Sequence, residues 1–149
     1  MSPGLSALAP LMIALGLLAG ASANRAVPEP PLGRWRVVRG ESLGKPIRQV
    51  DLPNATMTFE ADGRWFGTEN GAASGEGAWR VNEALVPATL DLTHTAGLDK
   101  GKTQLCIFAV VGDTLSLAFG VPGLGNRPTK LATTEGPPYT LLLVFVRTK

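Results

Sequence analysis

The chain has one cysteine and one histidine in 149 residues. A single Cys excludes an internal disulfide. A metal site built from several Cys and His ligands is equally excluded, because one thiol and one imidazole leave only carboxylates to complete it. No nucleophile, base and orienting group stand together in the sequence, so no catalytic residue is assigned and no enzyme activity is expected. Aromatic residues make up only 6% and charged residues 17%. Neither sign of charge dominates: 14 Lys and Arg face 12 Asp and Glu, and the basic residues are scattered singly. A nucleic-acid binder clusters them on one face or helix, so no nucleic-acid partner is expected. After residue 32 there is no helix-spaced apolar stripe lasting three turns. Glycine and proline are plentiful, at 18 and 12 residues. They follow no Gly-X-Y period, which rules out collagen and favours strands and turns.

The length allows one folded domain. Residues 1–24 carry no charged side chain, and an apolar stretch from Leu5 to Leu18 is interrupted only by Pro10. Ala21-Ser22-Ala23 then supplies a small-x-small site. This reads as a signal peptide over residues 1–23 and predicts an exported protein, periplasmic or extracellular. A membrane-spanning helix needs about 20 apolar residues, more than this stretch offers, so no integral span is expected after cleavage. Residues 24–32 hold Pro28, Pro30 and Pro31 and read as a Pro-rich spacer. Residues 33–149 form the predicted domain.

Period-two alternation recurs through that domain. Trp35 and Val37 oppose Arg34 and Arg36; Met57 and Phe59 oppose Thr56 and Thr58; Leu115, Leu117 and Phe119 oppose Thr114, Ser116 and Ala118. Strands are predicted near 33–40, 55–60, 64–68, 76–82, 88–95, 103–111, 114–120 and 140–147. Asp62-Gly63 is a two-residue hairpin signal, since both residue types accept positive φ. Gly112-Asp113 turns the chain again, and residues 69–75 read as a Gly- and Ser-containing loop. Most strands follow one another by short turns. The predicted fold is therefore all-β, an eight-stranded antiparallel up-and-down β-barrel, which removes both sheet edges. A two-sheet sandwich needs more long crossovers than the connections at 41–54 and 121–139 provide.

Gly33-Arg34-Trp35 opens the first strand and resembles the Gly-x-Trp signature of lipocalins and related calycin barrels. Gly77-Ala78-Trp79-Arg80-Val81 repeats the pattern. In that family the Trp closes one end of the barrel, and a basic residue ending the last strand packs across its ring. The resemblance gives these roles to Gly33, Trp35 and Arg147. The wider order is similar to a lipocalin-like family of exported Planctomycetes proteins without an established function. It runs from Leu32–Val38 through Gly44-Lys45-Pro46, Leu90-Asp91-Leu92, Gly101-Lys102-Thr103 and Gly112–Leu115 to Arg127-Pro128-Thr129 and the final apolar strand. Leu131 stands where that family has Phe. The resemblance implies a fold and no mechanism.

The candidate ligand-binding residues are inward-facing ones: Met57, Phe59, Trp65, Trp79, Leu92, His94, Leu117 and Phe119. No metal site and no cofactor are expected. The leading expectation is a small apolar or amphipathic ligand at the barrel mouth; the alternative is a non-catalytic protein-interaction module. Eight short strands with large inward residues predict a largely filled interior. Cys106 lies in an apolar strand and reads as a buried, inert thiol, with an intermolecular disulfide as the alternative. Gly97–Thr103 imitates a phosphate loop, but its spacing is one residue short and a strand follows it, so it reads as a strand connection. Arg127 is expected to bond backbone carbonyls and fix its loop. Leu105–Val111 and Leu141–Val146 are apolar on both faces, so the outer wall needs a cover. That cover is expected to be the loop 121–139 through Leu124, Leu131 and Tyr139, or a second copy in a homodimer.

Overall fold

The alternation that begins at Gly33 resolves into nine strands and one 3-10 turn, Gln49–Asp51, in a computed structural model that describes residues 29–149. The expected signal peptide, and the spacer up to residue 28, lie outside the described residues. The strands are β1 (Gly33–Ser42), β2 (Lys45–Pro46), β3 (Ala55–Phe59), β4 (Arg64–Glu69) and β5 (Ala72–Asn82). They continue with β6 (Ala88–His94), β7 (Thr103–Val111), β8 (Thr114–Phe119) and β9 (Leu141–Arg147). All pairings are antiparallel, and β1 pairs with both β3 and β9. Eight strands thus close an up-and-down barrel, and no long edge is left to template aggregation. The two-residue β2 folds back onto the end of β1, Glu41 opposite Pro46, inside what the sequence presents as a loop.

Turn chemistry differs from expectation in two places. Between β3 and β4 only Gly63 takes a positive φ, +92°, and Asp62 does not. The connection is a four-residue turn, closed where Gly63 N–H donates to the Glu60 carbonyl and Glu60 N–H to the Arg64 carbonyl. The loop expected over 69–75 is instead a hairpin turning on Asn70-Gly71 alone, with φ +52° and +83°. Both central residues are left-handed, as a type I′ turn requires. Strand β5 therefore starts at Ala72, and Ser74 is the extra residue of a bulge between the pairs Gly67–Gly75 and Thr68–Ala73.

Inward residues fill the closed end. Trp35, Phe59, Leu90, Phe108 and Leu115 are each 1% exposed or less. Pro31, expected within the spacer, is packed into this end: it is fully buried and its carbonyl accepts the Trp35 Nε1–H at 2.8 Å. The Arg147 guanidinium lies 4.2 Å from the Trp35 ring centroid. Arg147 also donates to the Leu32 carbonyl at 2.6 Å, which ties the last strand across the start of the first.

On the outer face, Ile107, Ala118 and Val144 are 2%, 0% and 6% exposed although they point away from the core. The loop 121–139 is fastened on both sides of them. On the β6–β7 side Arg127 donates to the Cys106 carbonyl at 2.8 Å and to Asp91 at 2.7 Å. On the β1 side the Glu41 carboxylate accepts the Thr133 backbone N–H at 2.8 Å and the Thr133 hydroxyl at 2.9 Å, while Gly44 N–H donates to Thr133 Oγ1. Leu131 lines one depression together with Leu142 and Val144. Leu124 and Tyr139, the other expected contacts, are exposed; the loop buries Pro128 instead.

The strap carries a pH dependence. The Thr133 backbone N–H, then the Thr133 hydroxyl, hold the Glu41 carboxyl below its ordinary 4.5; the Arg39 charge adds to this, and partial burial opposes it. A carboxyl depressed by folding stabilises the fold above the unfolded-state value, and that contribution fades as pH falls through the folded-state value. Urea unfolding of the protein and of Glu41→Gln should therefore differ most near neutrality. The gap should narrow below about pH 4.5. A gap independent of pH would show that these bonds do not anchor the strap.

Candidate functional site: the barrel mouth

At the end opposite Trp35 the barrel opens to the outside. A cavity of about 430 Å³ lies between the strand ends that converge there. Below it the interior is filled by large side chains, as expected, and the opening is confined to this end. Glycine shapes the wall beside it. Gly67, Gly75 and Gly77 take successive inward positions on β4 and β5, where any other residue would project a side chain. Gly75 and Gly77 make room for the Trp65 ring, whose Cη2 is 3.0 Å from where a Gly75 Cβ would be. A Cβ on Gly67 would stand 3.0 Å from the Ser74 hydroxyl, so that side chain occupies the space beside it.

Five of the candidate residues line this cavity: Met57, Trp65, Leu92, His94 and Phe119. The other three do not reach it. Phe59 and Leu117 are fully buried in the filled half. Trp79 packs edge-on against Phe59 at 6.0 Å and donates its Nε1–H to the Glu60 carbonyl at 3.0 Å. It belongs to the closed end. Leu141, Leu143 and Phe145 complete the apolar wall from β9. The sequence gives no facing for that strand, because Leu141–Val146 is apolar throughout; only pairing to β1 and β8 settles which residues turn in.

Two polar side chains of the mouth, His94 and Gln104, are linked to each other, and Thr56 and Thr68 to each other at 2.6 Å. Gln104 Nε2 donates to the Gly120 carbonyl at 2.9 Å, which leaves its Oε1 to accept from His94 Nε2 at 3.1 Å. The imidazole is thus held as the Nε2–H form in its neutral state, with Nδ1 free to accept. It also meets Trp65 edge to face, with ring centroids 5.1 Å apart. His94 is a rim residue in a fixed pose. A neighbouring depression of about 260 Å³ shares Gln104, Phe119, Pro122 and Leu141 with the cavity and continues it over the β8–β9 rim to Val121 and Tyr139. Gln104 escaped the sequence reading, although its parity with Cys106 and Phe108 places all three on one face.

Cys106 is fully buried, and burial pushes its thiol up to about 12. Such a thiol is neither a nucleophile nor available to another chain. Among the described residues no three His, Cys, Asp or Glu side chains gather where they would hold a metal ion. No described helix is long and apolar enough to cross a membrane. Gly97 and Gly101 serve the β6–β7 connection with φ +82° and +86°. No family model, curated protein or solved structure matches the chain.

Proposed function

We propose that the protein binds a small apolar or amphipathic molecule in the barrel mouth, as an exported member of the lipocalin-like family its sequence resembles. The observation that carries this reading is the open mouth above a filled base. Its volume of about 430 Å³ lies within the range of small-molecule sites. Its wall is mostly apolar, with seven polar or charged side chains among its lining residues. The Trp35–Arg147 stack supports the family reading, since that family places a basic residue across this ring. The alternative, an interaction module presenting an apolar wall, is less well supported because the strap already covers Ile107, Ala118 and Val144. The proposal contains no catalytic step and needs no cofactor.

Titration with 1-aminoanthracene, an uncharged probe that brightens in apolar surroundings, tests the site. Saturable one-to-one binding is expected. Leu141→Trp, which places a large ring at the rim, should weaken it by roughly tenfold or more by filling the cavity. Absence of binding, or binding indifferent to that substitution, rejects the site. The export reading predicts a mature protein beginning at Asn24; mass spectrometry showing residues 1–23 retained would reject it.

A further inference from the structure

We infer that the barrel mouth selects an amphiphile with a cationic head and disfavours the carboxylate of the same chain length; this rests on the binding role proposed above. The inference comes from which charges the cavity meets. Two acidic residues, Glu69 at the end of β4 and Asp99 in the β6–β7 connection, stand among its lining residues. No Lys or Arg lines the cavity or its continuation over the β8–β9 rim.

This asymmetry is local. The chain as a whole has two more basic than acidic residues, so a mouth with carboxylates and no lysine or arginine does not follow from composition. An apolar tail entering the cavity leaves its head at the level of these carboxylates. There a cation is attracted and an anion repelled, in a site whose walls exclude part of the solvent that would screen them. The one base nearby does not reverse the sign. Lys102 Nζ stands 3.5 Å from Asp99 Oδ1, with both side chains about half exposed. Exposed pairs of this kind are weak, so a cationic head can compete with Lys102 for the carboxylate. Glu69 has no such neighbour in its pairing to Ala72 and Ala55. Of the other polar groups, His94 and Gln104 are engaged with each other and with the Gly120 carbonyl, and Thr56 with Thr68.

The test is competition at pH 8, where an imidazole is ordinarily neutral. Dodecyltrimethylammonium, dodecanol and dodecanoate, each below its micelle concentration, compete with 1-aminoanthracene for the full-length protein. The cation should displace the probe at a concentration on the order of tenfold below the carboxylate, with the alcohol between them. Added salt should compress that spread. In Glu69→Gln/Asp99→Asn the ratio between cation and alcohol should fall towards one. Probe binding by the double variant reports that its barrel is intact. Failure of the probe to bind the parent protein defeats the cavity reading itself. A probe that binds but is displaced equally by cation and alcohol, or better by dodecanoate, overturns the head-group inference alone.

Discussion

Trp35→Ala should cost roughly 3–5 kcal/mol of folding stability, the usual penalty for emptying the site of a fully buried aromatic ring. Three losses coincide at this position. The ring is 0% exposed and packs at the base of the core. Its Nε1–H is the partner of the buried Pro31 carbonyl, which would be left without a donor. Its face carries the Arg147 guanidinium, worth about 0.5–2 kcal/mol as a cation–π contact. Single domains have about 5–15 kcal/mol in hand, so the variant should still fold, with a clearly lowered midpoint in urea. Trp35→Phe separates the contributions. It keeps a ring for Arg147 and loses the hydrogen bond, and should cost about 1–3 kcal/mol. Equal midpoints for Trp35→Ala and the parent protein would show that the closed end is not held by this stack. Arg147→Lys should also destabilise, because an ammonium cannot both stack flat on the ring and donate to Leu32.

How the fold could be read from the sequence follows from where side chains report their facing. Strands β1, β3 and β8 alternate apolar with polar residues, so their inward sets are legible and the closed end follows from them. Strands β7 and β9 are apolar on both faces, and there the pattern says only that something must cover the outside. It does not say which residues of the loop do so. Leu124 and Tyr139 are as apolar as Leu131, yet they stay exposed, because the loop's path is fixed by polar anchors. Those anchors are Arg127 on the Cys106 carbonyl and Thr133 on Glu41. Hydrogen bonds across long separations leave no periodic trace. Of the two, only Arg127 stands out in the sequence, as a side chain expected to bond backbone carbonyls and fix its loop.

The open mouth was illegible for the opposite reason. Three inward positions beside it hold glycine, which has no side chain. Apolar residues announce a buried face, while glycine announces nothing about facing, and residues 69–75 read as a loop. Asn70-Gly71 was the missed signal, since that dipeptide turns hairpins in two residues. Recognising it extends β5 back to Ala72, and alternation then places Gly75 and Gly77 inside with Trp79. Counting inward side chains without those glycines overfills the barrel.

That same arrangement makes Gly77→Ala the most damaging single-methyl change expected in the molecule. Gly77 pairs with Trp65 on one side and His94 on the other, in the middle of two ladders. A Cβ there would overlap the Thr93 carbonyl oxygen and stand 2.8 Å from the Thr93 carbonyl carbon. It would also approach Trp65 Nε1 to 2.9 Å. Backbone on a neighbouring strand cannot swing aside as the end of a flexible side chain can. Relief requires β5 and β6 to separate at this register, which breaks ladder bonds and displaces the Trp65 ring from the slot it occupies. Overpacking in a well-packed interior costs about 1–3 kcal/mol even when side chains yield. A clash with backbone should exceed that and reach about 4 kcal/mol or more, a size seen only where a specific structural requirement is broken. Gly63→Ala is the matched control. A Cβ there meets nothing within 4 Å, so only its φ of +92° opposes the change, and the cost should stay near 1–2 kcal/mol. Urea midpoints measured side by side decide the matter: Gly77→Ala no worse than Gly63→Ala would mean that β5 does not approach β6 at Thr93 this closely. Where Gly77→Ala does fold, the displaced indole also predicts a changed Trp65 environment and weaker 1-aminoanthracene binding at the mouth, which Gly63→Ala, at the opposite end of β4, should leave intact.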